Sequence, residues 1–86
     1  MTEGNGGLIP TRFVVLVELE DRPSLETAQG IVGGWVEMLT LANGDQMLVN
    51  EEGRIHNLPH NPIASALAGR NLVGNAVLLK GEARWD

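Results

Sequence analysis

The chain has 86 residues, no cysteine and a formal net charge of −5. Its length accommodates one domain with a thin core, and the absence of cysteine excludes disulfides, thiolate metal sites and thiol catalysis. Because an acidic protein is repelled by phosphate backbones, the charge disfavours direct binding of nucleic acid.

The beginning of the chain is rich in glycine and polar residues. We therefore predict a flexible N-terminal arm over residues 1–8, followed by a single α+β domain over residues 9–86. The arm lacks the basic and apolar stretches of a signal peptide, and no apolar run is long enough to span a membrane. Together with the absence of cysteine, this predicts a cytoplasmic protein that does not contact the membrane.

The first predicted elements are a strand and a short helix. Residues 12–20 contain a β-branched and aliphatic run, which predicts a buried strand. The side-chain oxygens that precede the helix, the last of them in Ser24, are typical of a helix N-terminus. Gly33 and Gly34 are predicted to end the helix, since glycine tolerates the left-handed conformation. The apolar positions between them recur at helical spacing: Leu25, Ala28 and Ile31 or Val32.

A hairpin is predicted next. Residues 35–41 alternate in the manner of a strand, Asn43-Gly44 is a strong turn signal, and the return strand covers residues 46–50. Residues 51–53 form a second turn. Arg54-Ile55-His56 is interpreted as a short third arm of the same meander.

The last predicted elements are a second helix and a final strand. Asn61 caps the helix and Pro62 occupies its first position, and Gly69 or Asn71 ends it. Residues 73–80 are apolar enough for a central strand. The expected apolar stripe of the helix consists of Ile63, Ala66 and Leu67.

The predicted order is β-α-β-β-(β)-α-β, an α+β fold. We expect a two-layer sandwich with a small, mainly antiparallel sheet and both short helices on one face, on the premise that two helices cannot cover both faces of a sheet this size. Right-handed crossovers favour a ferredoxin-like or related arrangement. The other face of the sheet would then be open to solvent or to a partner.

Three segments resemble a family of short proteins common in bacteriophages and other mobile elements, the domain of unknown function 3846 family. They are LETAQGIVGGWVE at 25–37, VNEEGRIHNLPHNPIA at 49–64 and LVGNAVL at 72–78. The resemblance implies a phage or prophage context but no biochemical activity. One departure is Asn50, where the family pattern has an aspartate, so a charge is missing at this position.

The densest group of polar residues lies in the second of these segments, between the return strand of the hairpin and the second predicted helix. Its carboxylates, imidazoles and amides could hold a small ligand or a metal ion, although Pro59 argues against a continuous helix that would bring the two histidines together. The alternative is architectural, with a turn followed by a helix cap, and we favour it. The group comprises Asn50, Glu51, Glu52, His56, Asn57, His60 and Asn61.

Trp35 and Glu37 are a further pair of candidate binding residues, since they lie on the same face of a predicted strand. Tryptophan is enriched at binding hot spots, although a tryptophan at the start of a strand is more often part of a core. Ser24 and Ser65 have no base at a recognisable spacing, so we expect no catalytic residues, no enzymatic activity and no cofactor.

The function expected from the sequence is therefore that of a non-enzymatic protein-binding module that contacts a host or phage protein and forms a homodimer. The alternative is a small-ligand or metal-binding module that uses the polar segment 50–61. A weaker alternative is an acidic mimic of nucleic acid.

Overall fold

The structure, a computed structural model, describes residues 14–85. The predicted arm at residues 1–8 and the start of the first predicted strand lie outside this range. The α+β class is confirmed, with the elements β1 (Leu16–Leu19), α1 (Leu25–Val32), β2 (Val36–Thr40), β3 (Gln46–Asn50), α2 (Pro62–Ala68), β4 (Ala76–Leu79) and a short 3-10 helix (Gly81–Ala83).

The four strands form one mixed sheet in the order β1-β4-β3-β2. β1 pairs with β4 in parallel, whereas β4 with β3 and β3 with β2 are antiparallel. The last strand is central, as predicted. β1 is an edge strand and only partly buried, so the prediction of a buried first strand is wrong over its described residues.

The connection through α2 also differs from the expected fold. α2 joins β3 and β4, which are antiparallel neighbours. In a ferredoxin-like fold the helices join parallel strands. The ferredoxin-like arrangement is therefore wrong, although the order of elements along the chain, apart from the proposed third arm, is as predicted.

The two helices lie on opposite faces of the sheet. In β3, Leu48 packs in one core cluster with Ala28 of α1, whereas Met47 and Val49 pack in the other with Ala64 of α2. Because successive side chains of a strand point to opposite faces, the two clusters lie on opposite sides. The prediction of both helices on one face of a two-layer sandwich is therefore wrong, and the molecule has three layers.

The physical reason lies in the two central strands. Every residue of β4 is buried, and so is every residue of β3 except Gln46. Such strands expose an apolar surface on both faces, and each face needs cover. One short helix on each side of the sheet covers β3 and β4, because only these two strands need cover on both faces.

The helix ends are those that the sequence predicts. Ser24 caps α1 and accepts a hydrogen bond of 3.0 Å from the backbone N–H of Thr27, and Gly33 ends the helix at φ 83°. Asn61 caps α2, and Gly69 ends it at φ 71°.

The predicted apolar stripe of α2 is wrong. Ala64 and Ala68 face the core, whereas Ile63 and Leu67 are exposed. The cap fixes the rotation of the helix, because Asn61 is anchored in the interior and its oxygen accepts from the N–H of Ala64. The short alanine side chains let the helix pack closely on the sheet.

The proposed third arm at residues 54–56 is a turn. Residues 51–57 form consecutive turns, in which the N–H of His56 donates to the carbonyl of Glu52 and the N–H of Leu58 to that of Gly53, each at 3.0 Å. Such local bonds leave no extended ladder. The prediction of a strand there is wrong.

At the carboxyl end of the described range, Trp85 packs against the core cluster on the α1 side. Its indole N–H donates to the carbonyl of Pro23 at 3.0 Å, and its backbone exchanges two hydrogen bonds with the side chain of Gln46. Within residues 14–85, neither helix is long and apolar enough to cross a membrane.

Candidate functional site

Asn50, the last residue of β3, is buried and joins two segments. Its Nδ2 donates to the carbonyl of Val32 at 3.1 Å, and its Oδ1 accepts from the N–H of Glu52 at 2.7 Å. It thereby links the end of α1 to the turn after β3. A carboxylate could not donate to Val32, so the amide accounts for asparagine at the position where the family pattern has aspartate.

The turn over residues 51–57 presents most of the polar group to solvent. The N–H of Glu51 donates to the carbonyl of Trp35 at 2.8 Å, which fixes the start of the turn to the start of β2. Asn57 adopts a left-handed conformation at φ 57°, which asparagine tolerates better than most residues. The side chains of Glu51, Glu52 and His56 are exposed.

Asn61 is architectural. Its side chain is 2% exposed, its Oδ1 accepts from the N–H of Ala64 at 3.1 Å, and its Nδ2 donates to the carbonyls of Gly74 at 2.8 Å and Val15 at 3.2 Å. One amide thus caps α2 and holds the segments before β1 and β4. No part of it is available to a ligand.

A shallow depression of about 190 Å³ lies on the α2 side of the sheet, beside the turn. Val49, which belongs to the α2-side cluster, forms part of its floor. Four of the candidate residues line this depression: Glu37, Asn50, Glu51 and Glu52. Ile55 and two arginines, Arg54 and Arg70, line it as well. We call this region, including Ile55, the turn surface.

Ile55 is the most exposed large apolar residue of the turn surface, at 79%. It belongs to neither core cluster, and it lies among the exposed acidic residues Glu51 and Glu52. An exposed apolar side chain gains free energy when a partner covers it, so Ile55 is the candidate contact residue of the turn surface.

A larger cleft of about 440 Å³ lies on the α1 side. The carboxyl end of α1 forms one wall, residues 56–59 form another, and Gly74 and Asn75 lie between them. All three segments that resemble the family contribute residues to this cleft. His56 and Asn50 are the candidate residues that line it.

Gly30 is the least expected residue of the cleft. It lies inside α1, where glycine is less stable than alanine by about 0.5–1 kcal/mol. A Cβ added there would meet no atom within 4 Å, so no contact of the described residues requires a glycine. The gap opens a side of the helix backbone to the cleft.

The two histidines are not brought together with a carboxylate cluster. His56 lies 3.4 Å from Glu52 in an exposed pair four residues apart, whereas the backbone of His60 bridges to Val73 and its side chain is exposed. Over residues 14–85, no group of three or more His, Cys, Asp or Glu side chains could hold a metal ion.

Trp35 is exposed at 65% and precedes β2, with its carbonyl tied to Glu51. Its place at the start of a strand favoured a position in the core, but the side chain of Trp35 lies outside the core. Alternation along the strand puts its side chain on the same face as Glu37, which lines the depression.

Several residues of the region were not predicted. Asn75 accepts from the N–H of Val15 at 3.0 Å and donates to the carbonyl of Ile31 at 3.1 Å. The hydroxyl of Ser65 accepts from the N–H of Leu72 at 2.8 Å. Their only signal in the sequence is a polar side chain within an apolar context, which does not identify a distant partner.

Comparison with known proteins gives one match. A family model described as Domain of unknown function (DUF3846) matches residues 8–85, which is most of the chain. Neither the curated proteins nor the solved structures contain a match. The chain therefore belongs to the DUF3846 family, as the resemblance of its three segments predicted.

Proposed function

We propose that this protein is a non-enzymatic protein-binding module, an accessory protein of a phage or related mobile element that acts in the host cytoplasm. The observation that carries the proposal is the exposure of Ile55 on the turn surface. The phage context is supported by the family resemblance of the three segments quoted above.

The chemistry of the turn surface favours a partner with an apolar pocket and charges of both signs at its rim. Ile55 supplies the apolar group; the charges around it are Glu37, Glu51 and Glu52, which are negative, and Arg54 and Arg70, which are positive. Arg54 donates to the carbonyl of Asn71 at 2.8 Å, so part of its hydrogen-bonding capacity is used internally. Complementary charge would raise the association rate and fix the orientation of the partner.

The surface proposed for binding has changed with the fold. An uncovered sheet face was expected from the sequence, but each face is covered over its central strands by a helix. The turn surface instead lies at one end of the sheet, where β3 ends and the turn begins.

A matched pair of substitutions tests the proposal. Ile55 and Ile63 are both exposed, at 79% and 61%, but Ile63 lies on α2 and does not line the depression. Wild type, Ile55→Ser and Ile63→Ser are immobilised, and the proteins that each retains from a lysate of the natural host are quantified by mass spectrometry. We expect a discrete protein to be retained by wild type and Ile63→Ser and lost from Ile55→Ser.

The opposite outcomes overturn the proposal. They are retention of no discrete protein by wild type, or equal loss from both variants. Circular dichroism shows that each variant is folded, so that a loss is attributed to the contact.

A second candidate is small-ligand binding in the cleft beside α1, and the open space at Gly30 favours it. Among the described residues that line the cleft, none is Lys or Arg, so a phosphate group has no permanently cationic partner there. The carboxyl end of α1 carries a partial negative charge. These features favour a small aliphatic ligand that donates hydrogen bonds, such as an amine.

Thermal unfolding tests this candidate, since a ligand that binds only the folded state raises the melting temperature. We expect millimolar isobutylammonium to raise it for wild type and isobutyrate to leave it unchanged. Gly30→Leu, which fills the open space, removes the rise. No rise for wild type, or the same rise for Gly30→Leu, rejects the candidate.

The hypothesis of a nucleic-acid mimic gains no support from the fold. The described carboxylates are divided among β1, the loop from β1 to α1, α1, β2, the hairpin turn before β3, the turn surface and the C-terminal 3-10 helix. A mimic of nucleic acid needs its carboxylates along one face of the molecule.

A further inference from the structure

Within residues 14–85, the backbone groups along the outer edge of β2 pair with no other strand. The N–H of Leu41 donates to the carbonyl of Asp45, and the N–H of Glu51 to that of Trp35, each at 2.8 Å. In an antiparallel pair, alternate residues bond to the neighbouring strand. The N–H and C=O groups of the intervening residues therefore point away from β3; these residues are Val36, Met38 and Thr40.

Over residues 14–85, this edge lacks most of the features that usually prevent strand pairing, although Glu37 places one charge on it. Natural edge strands are protected by lysine, proline, bulges or a covering element. β2 reads VEMLT, and its five residues pair with β3 in a regular register without a bulge. Two exposed apolar residues lie along this edge, Trp35 just before β2 at 65% and Met38 within it at 41%.

We propose that β2 pairs antiparallel with β2 of a second copy of this chain, about a two-fold axis at Met38. This register sets Met38 opposite itself and Val36 opposite Thr40 of the second copy. All outward N–H and C=O groups of the two strands then bond to each other. The result is one continuous sheet through both copies, with an isologous interface.

The side chains fit the same register. Trp35 lies opposite Leu41 of the second copy, on the face that carries α2, and Glu37 lies opposite Leu39. Cross-strand aromatic and aliphatic pairs stabilise a sheet, whereas like charges directly opposite destabilise it. Moving the axis to Glu37 would set the two Glu37 carboxylates against each other, so the charge also selects the axis at Met38.

The absence of cysteine from the chain allows a direct test of the register. In a hydrogen-bonded pair the Cα atoms are about 5.5 Å apart, within the range of about 4.4–6.8 Å that a disulfide spans. Met38→Cys is therefore expected to form a disulfide-linked dimer under mild oxidation. Leu67→Cys, at a position on α2 that is somewhat more exposed than Met38, is the matched control and stays monomeric.

Two further variants define the axis. Val36→Cys and Thr40→Cys lie four residues apart, so each is separated from its own copy by roughly 14 Å at about 3.4 Å per residue. Each alone stays unlinked, but an equimolar mixture forms the mixed dimer. Linking of either variant with itself, or no linking in the mixture, overturns the register.

The mass in solution completes the test. Sedimentation of the wild type at tens of micromolar is expected to give a dimer, and Met38→Lys, which places a charge on the axis, a monomer. A monomeric wild type overturns the proposal. Failure of this proposal is distinguishable from failure of partner capture through Ile55, because Ile55 lies outside β2 and is unchanged in these variants.

Discussion

The side chain of Asn61 donates a hydrogen bond of 2.8 Å to the carbonyl of Gly74. This bond joins the start of α2 to the segment that leads into β4, the central strand. The same amide reaches Val15 ahead of β1. One buried polar side chain therefore fixes the relative position of three elements.

We predict that Asn61→Ala lowers the free energy of unfolding by about 2–3 kcal/mol, because it removes a helix cap and takes from the buried carbonyl of Gly74 its side-chain partner. Urea denaturation followed by circular dichroism measures the change. Asn71→Ala is the control, since Asn71 is exposed and an exposed substitution usually changes stability by less than about 0.5 kcal/mol. Equal effects of the two variants would contradict the role of Asn61.

Asn50→Asp restores the residue of the family pattern, and we predict that it destabilises this chain by about 1–3 kcal/mol. The aspartate cannot donate to the carbonyl of Val32, and its charge lies at the carboxyl end of α1, which repels anions. Chemical denaturation at neutral pH checks this result. A variant as stable as the wild type would show that the bond from Asn50 to Val32 contributes nothing.

Alanine substitutions at Gly30, within α1, and at Gly33, at its end, are predicted to have opposite effects on stability. Gly30→Ala is predicted to raise the free energy of unfolding by about 0.5–1 kcal/mol, because the helix position has room for a methyl group. Gly33→Ala is predicted to lower it, because Gly33 has φ 83° and alanine is strained there. Thermal unfolding of both variants measures the signs, and the same sign for both would contradict the assignment.

The elements that were predicted from the sequence are those with local signals. Asn43-Gly44 indicates the hairpin turn because its residues accept positive φ, and Gly44 has φ 94°. Asn61-Pro62 indicates the start of α2, and Gly33 the end of α1. Each signal acts within a few residues, so it does not depend on the rest of the fold.

The arrangement of the elements was not predicted, because it depends on burial on both faces of β3 and β4. The run AVLL is apolar at every position, which is typical of a strand covered on both sides. The rotation of α2 was missed for a similar reason, since it is set by Asn61 in the interior. The exposure of Trp35 and Ile55 likewise follows from tertiary structure, and both residue types are usually buried.

The central claim, that the turn surface binds another protein, is tested most directly by photo-crosslinking in the natural host. A benzophenone amino acid is placed at Ile55 in one variant and at Ile63 in another. We expect illumination to link the variant at position 55 to one discrete host or phage protein, and the variant at position 63 to none. The same products from both positions, or no product from position 55, would contradict the claim.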